Sequence, residues 1–198
     1  MELNPTSLSD QERYFLLIST VIPRPVAWVS TVNLQGFANL APFSFFGGVT
    51  SKPFTVMVSI DRRHEGRKDS AANLLATGEA VIHIAHKPLA EKMVKTSADV
   101  ASQVDEFELA GLTKTAAQTV KAYRIKEAAV ALESKVVFHK EVGWEPVDMF
   151  LLEIIHVYMD DAYVTQGFPD PHKLNAVGRL GGRNYTETNH IYSIPRPR

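Results

Sequence analysis

The chain has no cysteine. Disulfides, thiolate nucleophiles, iron–sulfur clusters and thiol redox chemistry are therefore excluded. Redox chemistry, if the protein performs any, has to be carried by a bound organic cofactor or by histidine-ligated metal. A strong charge of either sign is also missing: 21 Lys and Arg stand against 22 Asp and Glu, a formal net charge of −1. Bulk electrostatics thus give no reason to expect nucleic acid or an anionic membrane as partner. Long hydrophobic runs are absent too. The most apolar amino-terminal stretch, YFLLISTVIP (14–23), is too short for a membrane span and lacks the basic region of a signal peptide. The reading is a cytoplasmic protein. No repeat, G-x-x-x-x-G-K-[ST] phosphate loop, G-x-G-x-x-G dinucleotide fingerprint or G-x-S-x-G elbow occurs.

What is present suits one domain over residues 1–198, with 45% apolar residues and enough chain to bury roughly 70% of its unfolded surface. Ser9-Asp10-Gln11-Glu12 is a capping-box pattern and predicts a short helix near 10–18, ended by Pro23-Arg24-Pro25. VAWVSTV (26–32) predicts a strand, and NLQG (33–36) a turn into FANLAPF, making a hairpin. FTVMVSI (54–60) and AVIHIA (80–85) predict further strands, with helices over 69–78 and 87–98. Residues 99–126 mix short helix and loop. Two long β-rich segments follow, 128–142 and 148–164, separated by a Gly143–Pro146 turn and trailed by an extended arm. Strands dominate without regular βα alternation. The fold class is mainly β, an antiparallel β-barrel with helical insertions.

Three stretches carry candidate chemistry. DRRHEGRKDSAAN (61–73) places four basic residues before a predicted helix start, where free N–H groups and the helix dipole favour an anion. Asp61, Glu65 and Asp69 reduce the loop's balance to +1, so a solvated charged loop stays open beside an anion site. NLAPFSFFGG (39–48) breaks an apolar run with Pro42 and Ser44. It reads either as a distorted core strand or as the wall of an apolar pocket, in which the strand breaks near Pro42 and frees backbone groups for a ligand. His156, in EIIHVYMDD, is either a satisfied core or interface histidine or a group beside a ligand. His83 and His86, three apart on a predicted strand, point to opposite faces and do not suit joint metal ligation.

Six segments in order, PRPVAWVST (23–31), GFANLAPFSFF (36–46), RKDSAAN (67–73), DEFELAGLT (105–113), AVALE (129–133) and AVGRLGGRNY (176–185), resemble the flavin reductase-like, FMN-binding split-barrel family that includes flavoredoxin. The resemblance covers roughly residues 12–197 and implies a split-barrel homodimer holding FMN noncovalently near the subunit interface, with NAD(P)H as electron donor. It implies flavin contacts from Ala27, Trp28, Val29, Ser30 and Thr31, and from Asn39, Leu40, Ala41, Pro42 and Ser44. Lys68, Ser70 and Asn73 match the segment near the phosphate and ribityl chain, with Ser70 standing where the family often has threonine. Arg179 and Tyr185 match the carboxy-terminal motif, and His156 falls where related proteins can place a histidine near the cofactor.

Overall fold

The computed structural model describes residues 1–197. Helix α1 (Asp10–Thr20) starts with the full capping box: Glu12 N–H donates to Ser9 Oγ at 3.3 Å, and Ser9 N–H donates to Glu12 Oε2 at 2.8 Å. After it come β1 (Ala27–Val32), β2 (Ala38–Phe43), β3 (Phe46–Ser51) and β4 (Phe54–Ile60). Helix α2 (Asp69–Thr77) leads into β5 (Glu79–Ile84) and ends on Gly78, whose left-handed φ of 71° suits a residue without Cβ. Helices α3 (Ala90–Lys95) and α4 (Glu106–Leu109) fill the insertion before the long strands β6 (Val130–Val142) and β7 (Val147–Met159). The short strands β8 (Val177–Arg179) and β9 (Tyr185–Glu187) pair with each other, and β8 also pairs with Arg24–Pro25.

The main sheet is antiparallel in the order β2-β1-β5-β6-β7-β4-β3. Its two outermost strands, β2 and β3, are consecutive in the chain and joined only through Ser44 and Phe45. That connection draws the sheet into a barrel with a seam, and Ser59 N–H donates to Phe45 O across the corner at 2.8 Å. The fold is a split β-barrel with helical insertions.

Every residue of β1 is buried, because both of its faces are covered. Ala27 and Val29 point into the barrel core with Val58, Phe150 and Leu152. Trp28, on the opposite face, packs in a second core with Met93, Phe107 and Ile125 from the insertion. This explains why AWVSTV shows no alternation of polar and apolar residues. Each large side chain so buried contributes roughly 1.5–3 kcal/mol. Two large polar side chains in this layer are paired: Trp28 Nε1–H donates to Thr96 Oγ1 at 2.8 Å. His83 Nε2 accepts Ile125 N–H at 2.9 Å, so its Nδ1 carries the proton and donates to Trp28 O at 3.0 Å. Both ring nitrogens of His83 are thereby consumed in structure, and burial pulls its pKa down to about 4.

The structure corrects the reading of Pro42. The strand does not break there; β2 continues to Phe43, with Pro42 opposite Trp28. Proline is accommodated because β2 is an edge strand, where half of the N–H groups need no ladder partner.

Candidate functional site

The seam between β2, the start of α2 and the β8–β9 turn opens into two adjoining hollows. One, of about 300 Å³, lies at the amino end of α2. The other, of about 450 Å³, lies over Ser44–Phe45 and reaches α1 and the carboxy-terminal turn. Pro42, Phe43, Lys68 and Ser97 border both, so the two form one continuous cleft.

At the α2 end a polar chain is built from three elements. Asn39 Nδ2 on β2 donates to Ser70 Oγ on α2 at 2.8 Å and lies 3.4 Å from Thr31 Oγ1. Asn73 Nδ2 donates to the same Thr31 oxygen at 3.0 Å. Asn39 and Ser70 line the cleft, while Thr31 and Asn73 stand behind them as buried supports. The first N–H groups of α2 have no partner within the helix, and Lys68, its N-cap residue, offers no side-chain cap.

The basic residues of the 61–68 segment divide in a way the sequence did not reveal. Arg62 and Arg67 turn away from the cleft to the buried carboxylate of Asp148 and to Glu141. His139 Nε2 joins Asp148 at 2.8 Å. Burial would raise the Asp148 pKa, but the bonds from Arg62, His139 and Arg67 outweigh it and hold the group at about 2. Arg63 faces the cleft but pairs with Asp99 at 2.9 Å. Lys68 has no ion pair among the described residues, so it is the cation left for a ligand.

The other end of the cleft is aromatic and cationic. Phe43, Phe45 and Tyr185 supply flat surfaces, and Arg179 lies 4.5 Å above the Tyr185 ring while also bonding its hydroxyl. Arg24 is buried here. Its guanidinium donates to the carbonyls of Ile18 (2.7 Å), Val21 (2.8 Å) and Leu180 (3.1 Å), and Nε lies 3.3 Å from Ser44 Oγ. Desolvation, then the nearby Arg179 charge, lowers the pKa of Arg24. One guanidinium thus ties the end of α1 and the turn after β8 to the bend at Ser44.

Of the residues picked from sequence, the structure brings Asn39, Ala41, Pro42, Ser44, Lys68 and Ser70 together along the cleft, with Arg179 and Tyr185 at its far end. Ala27 and Val29 lie in the barrel core, and Trp28 and Leu40 in the second core. Strand alternation sends these side chains to the closed faces of β1 and β2. Ser30 is buried, and its Oγ has no hydrogen-bond partner among the described residues. His156 does not line the cleft. An extra residue in β7 at Ile155 shifts the register, so His156 sits opposite Glu133, whereas Ile154 pairs with Ser134. Backbone availability also differs from expectation: Leu40 N–H is taken by Glu106 Oε2 at 3.0 Å, and Pro42 has no donor to give.

Several lining residues were not singled out from sequence. Arg24 sits between the two prolines that read as a helix stop, and Glu106 lies in DEFELAGLT, whereas Phe43 and Phe45 belong to the run whose reading includes the wall of an apolar pocket. The available signal was weak, since an arginine between prolines or a carboxylate at a helix start is ordinarily a surface residue.

A split barrel whose seam carries a cleft with a helix amino end at one side and aromatic rings at the other defines the class. Within that class, the chain belongs to the flavin reductase-like family: the model of the flavin reductase like domain matches residues 19–170. An uncharacterized protein of Halalkalibacterium halodurans is 35% identical over 202 residues, covering 100% of this chain and 97% of that one. Among solved structures, nitrilotriacetate monooxygenase component B from Bacillus cereus superimposes with a TM-score of 0.94 at 28% identity, covering 98% of both chains. Pseudomonas fluorescens 2-nitrobenzoate 2-nitroreductase gives 0.90 at 26% identity, covering 100% of this chain and 96% of that one. Flavoredoxin of Desulfovibrio vulgaris shares the fold, with a TM-score of 0.77 at 21% identity over 88% of this chain and 91% of that one.

Proposed function

We propose that the protein is an FMN-dependent oxidoreductase that takes hydride from NAD(P)H and passes electrons to free flavin, oxygen or a partner protein. The observation that carries this reading is the two-ended cleft, with Lys68, Ser70 and the free amino end of α2 at one side and Phe45, Arg24, Arg179 and Tyr185 at the other. These residues fit a planar heterocycle with an anionic tail. An anion suits the helix start, which supplies N–H donors, a dipole and one uncommitted ammonium. A ring system suits the aromatic end.

A flavin held here would supply the hydride-accepting and electron-donating chemistry that this cysteine-free chain lacks. The chain's own groups then position and exclude. Asn39 and Ser70, braced by Thr31 and Asn73, hold the polar tail. Phe43 and Phe45 exclude water from one side, and Arg24 fixes the bend that carries Ser44. The two guanidiniums at the ring end favour a ligand that gains negative charge on reduction. No side chain is required as nucleophile or strong base.

Membership of the family and the exposed apolar side chains of the long hairpin, among them Val137, Phe138, Ile155 and Val157, support a homodimer with the cleft near its interface. Among the described residues, no helix is long and apolar enough to cross a membrane.

Anaerobic stopped-flow mixing of the FMN-loaded protein with NADH and with NADPH tests the reading. Rapid bleaching of the flavin band with either nucleotide is expected. Stable FMN binding without bleaching would instead assign an electron carrier, and no spectral shift on titration with FMN would overturn the flavin assignment.

A further inference from the structure

The charge balance at the amino end of α2 runs against a dianion. Arg63 and Lys68 face that hollow, but so do Asp69, Asp99 and Glu106. With every carboxyl ionised the wall carries two positive charges against three negative. Two of the carboxylates are committed to neighbours. Asp99 pairs with Arg63 at 2.9 Å, and Asp69 accepts Ser102 Oγ–H at 2.7 Å with Arg63 at 3.8 Å. Glu106 is different. It is buried at 6% exposure and has no ion pair among the described residues; its Oε2 accepts the Leu40 N–H at 3.0 Å.

The groups around Glu106 come from every element packed on it. Asp69 approaches from α2, Asp99 from the loop after α3, and Asp105 from the N-cap position of α4, where Lys114 pairs with it. Arg63 and Lys68 stand on the wall of the same hollow. Burial first, then Asp69 and Asp105, push the Glu106 carboxyl above its ordinary range, against the opposing Leu40 N–H. An ionised carboxylate is acceptor-only and repels a second anion, whereas the protonated acid can donate a hydrogen bond.

We propose that Glu106 is a binding residue for the flavin phosphate and meets it as a neutral carboxylic acid, so that FMN binding takes up one proton from solvent. This rests on the flavin reading. The proton stays on the carboxyl and forms the hydrogen bond to a phosphate oxygen; no covalent bond is made or broken. Protonation also changes the wall from three negative charges to two, matching Arg63 and Lys68. Riboflavin has no phosphate and should show no such coupling.

Isothermal titration of the full chain at pH 7.5, in buffers of different ionisation enthalpy, counts the protons exchanged on binding. FMN should bring in about one more proton with the wild type than with Glu106→Gln, and riboflavin should show no difference. Between pH 7 and 9, above the phosphate pKa of about 6, the wild-type ratio of FMN to riboflavin dissociation constants should rise, approaching tenfold per pH unit. In Glu106→Gln, which keeps an oxygen for the Leu40 N–H, the ratio should stay flat. An equal proton count in both proteins would overturn the proposal, as would a wild-type ratio independent of pH. The ratio needs no variant and so decides the matter even if Glu106→Gln folds poorly. Failure of both flavins to bind would overturn the flavin reading itself, and this proposal with it.

Discussion

The Arg62 guanidinium closes a two-point ion pair on the buried carboxylate of Asp148, with Nε 3.0 Å from one oxygen and Nη2 3.1 Å from the other. Arg67 and His139 bond the same carboxylate, so one β7 side chain anchors the small hairpin that carries Arg63 and leads to Lys68. Asp148→Asn leaves two guanidiniums with only the half-exposed Glu141 as counter-charge. The expected loss is roughly 3 kcal/mol of stability, the usual cost of breaking a buried pair from one side. FMN affinity should fall with it, because the hairpin loses its anchor. Urea unfolding with an unchanged midpoint would contradict the anchoring role.

Acid should destabilise the protein in two stages. The His83 pKa is lowered in the fold, from an ordinary 6.5 to about 4, so folding favours its neutral form. Its contribution is complete above 6.5 and is lost as pH falls toward 4, up to roughly 3 kcal/mol. Asp148, at about 2 in the fold against an ordinary 3.8, adds a second loss between those values. Urea melts at pH 7, 5 and 4 should show the first stage. His83→Gln should flatten that slope at some cost in stability at pH 7.

Lys68→Ala combined with Ser70→Ala should weaken FMN much more than riboflavin. Charge-assisted hydrogen bonds of this kind are worth about 1.5–3 kcal/mol each, and only FMN carries the phosphate. Part of the Ser70 effect will touch both flavins, since Asn39 loses its 2.8 Å acceptor. Fluorescence titrations giving equal losses for the two flavins would refute the placement of the phosphate.

Val137→Glu together with Ile155→Glu should leave the monomer folded, because both side chains are exposed in the single chain. If the hairpin surface joins two copies, the double variant should run as a monomer by light scattering while the unaltered chain runs as a dimer. A dimer that persists in the variant would move the interface elsewhere.

The strands were legible because their residues are β-branched and apolar, and AWVSTV and FTVMVSI fall where β1 and β4 lie. The amino end of α2 was legible from Lys68-Asp69-Ser70 and the glycine that stops the helix. What could not be read was the direction of each side chain once sheets and insertions packed. Trp28 and Ser30 look like pocket residues in a string but face closed layers. His156 stands opposite Glu133, just past an extra residue in β7, and does not border the cleft. Arg62 and Arg67 were committed by Asp148, more than eighty positions away, and no local pattern announces such a partner. Glu106 gained its place because the insertion folds back onto β2.

Along β2 the backbone nitrogens of Leu40 and Pro42 belong to the same outward-facing row, two residues apart. Glu106 takes the N–H of the first, and proline leaves the second without one. An incoming strand would find neither donor, which makes this edge a poor template for extending the sheet. Runaway strand-by-strand association is disfavoured there, and the seam can stay open to small molecules in solution without readily pairing with another chain.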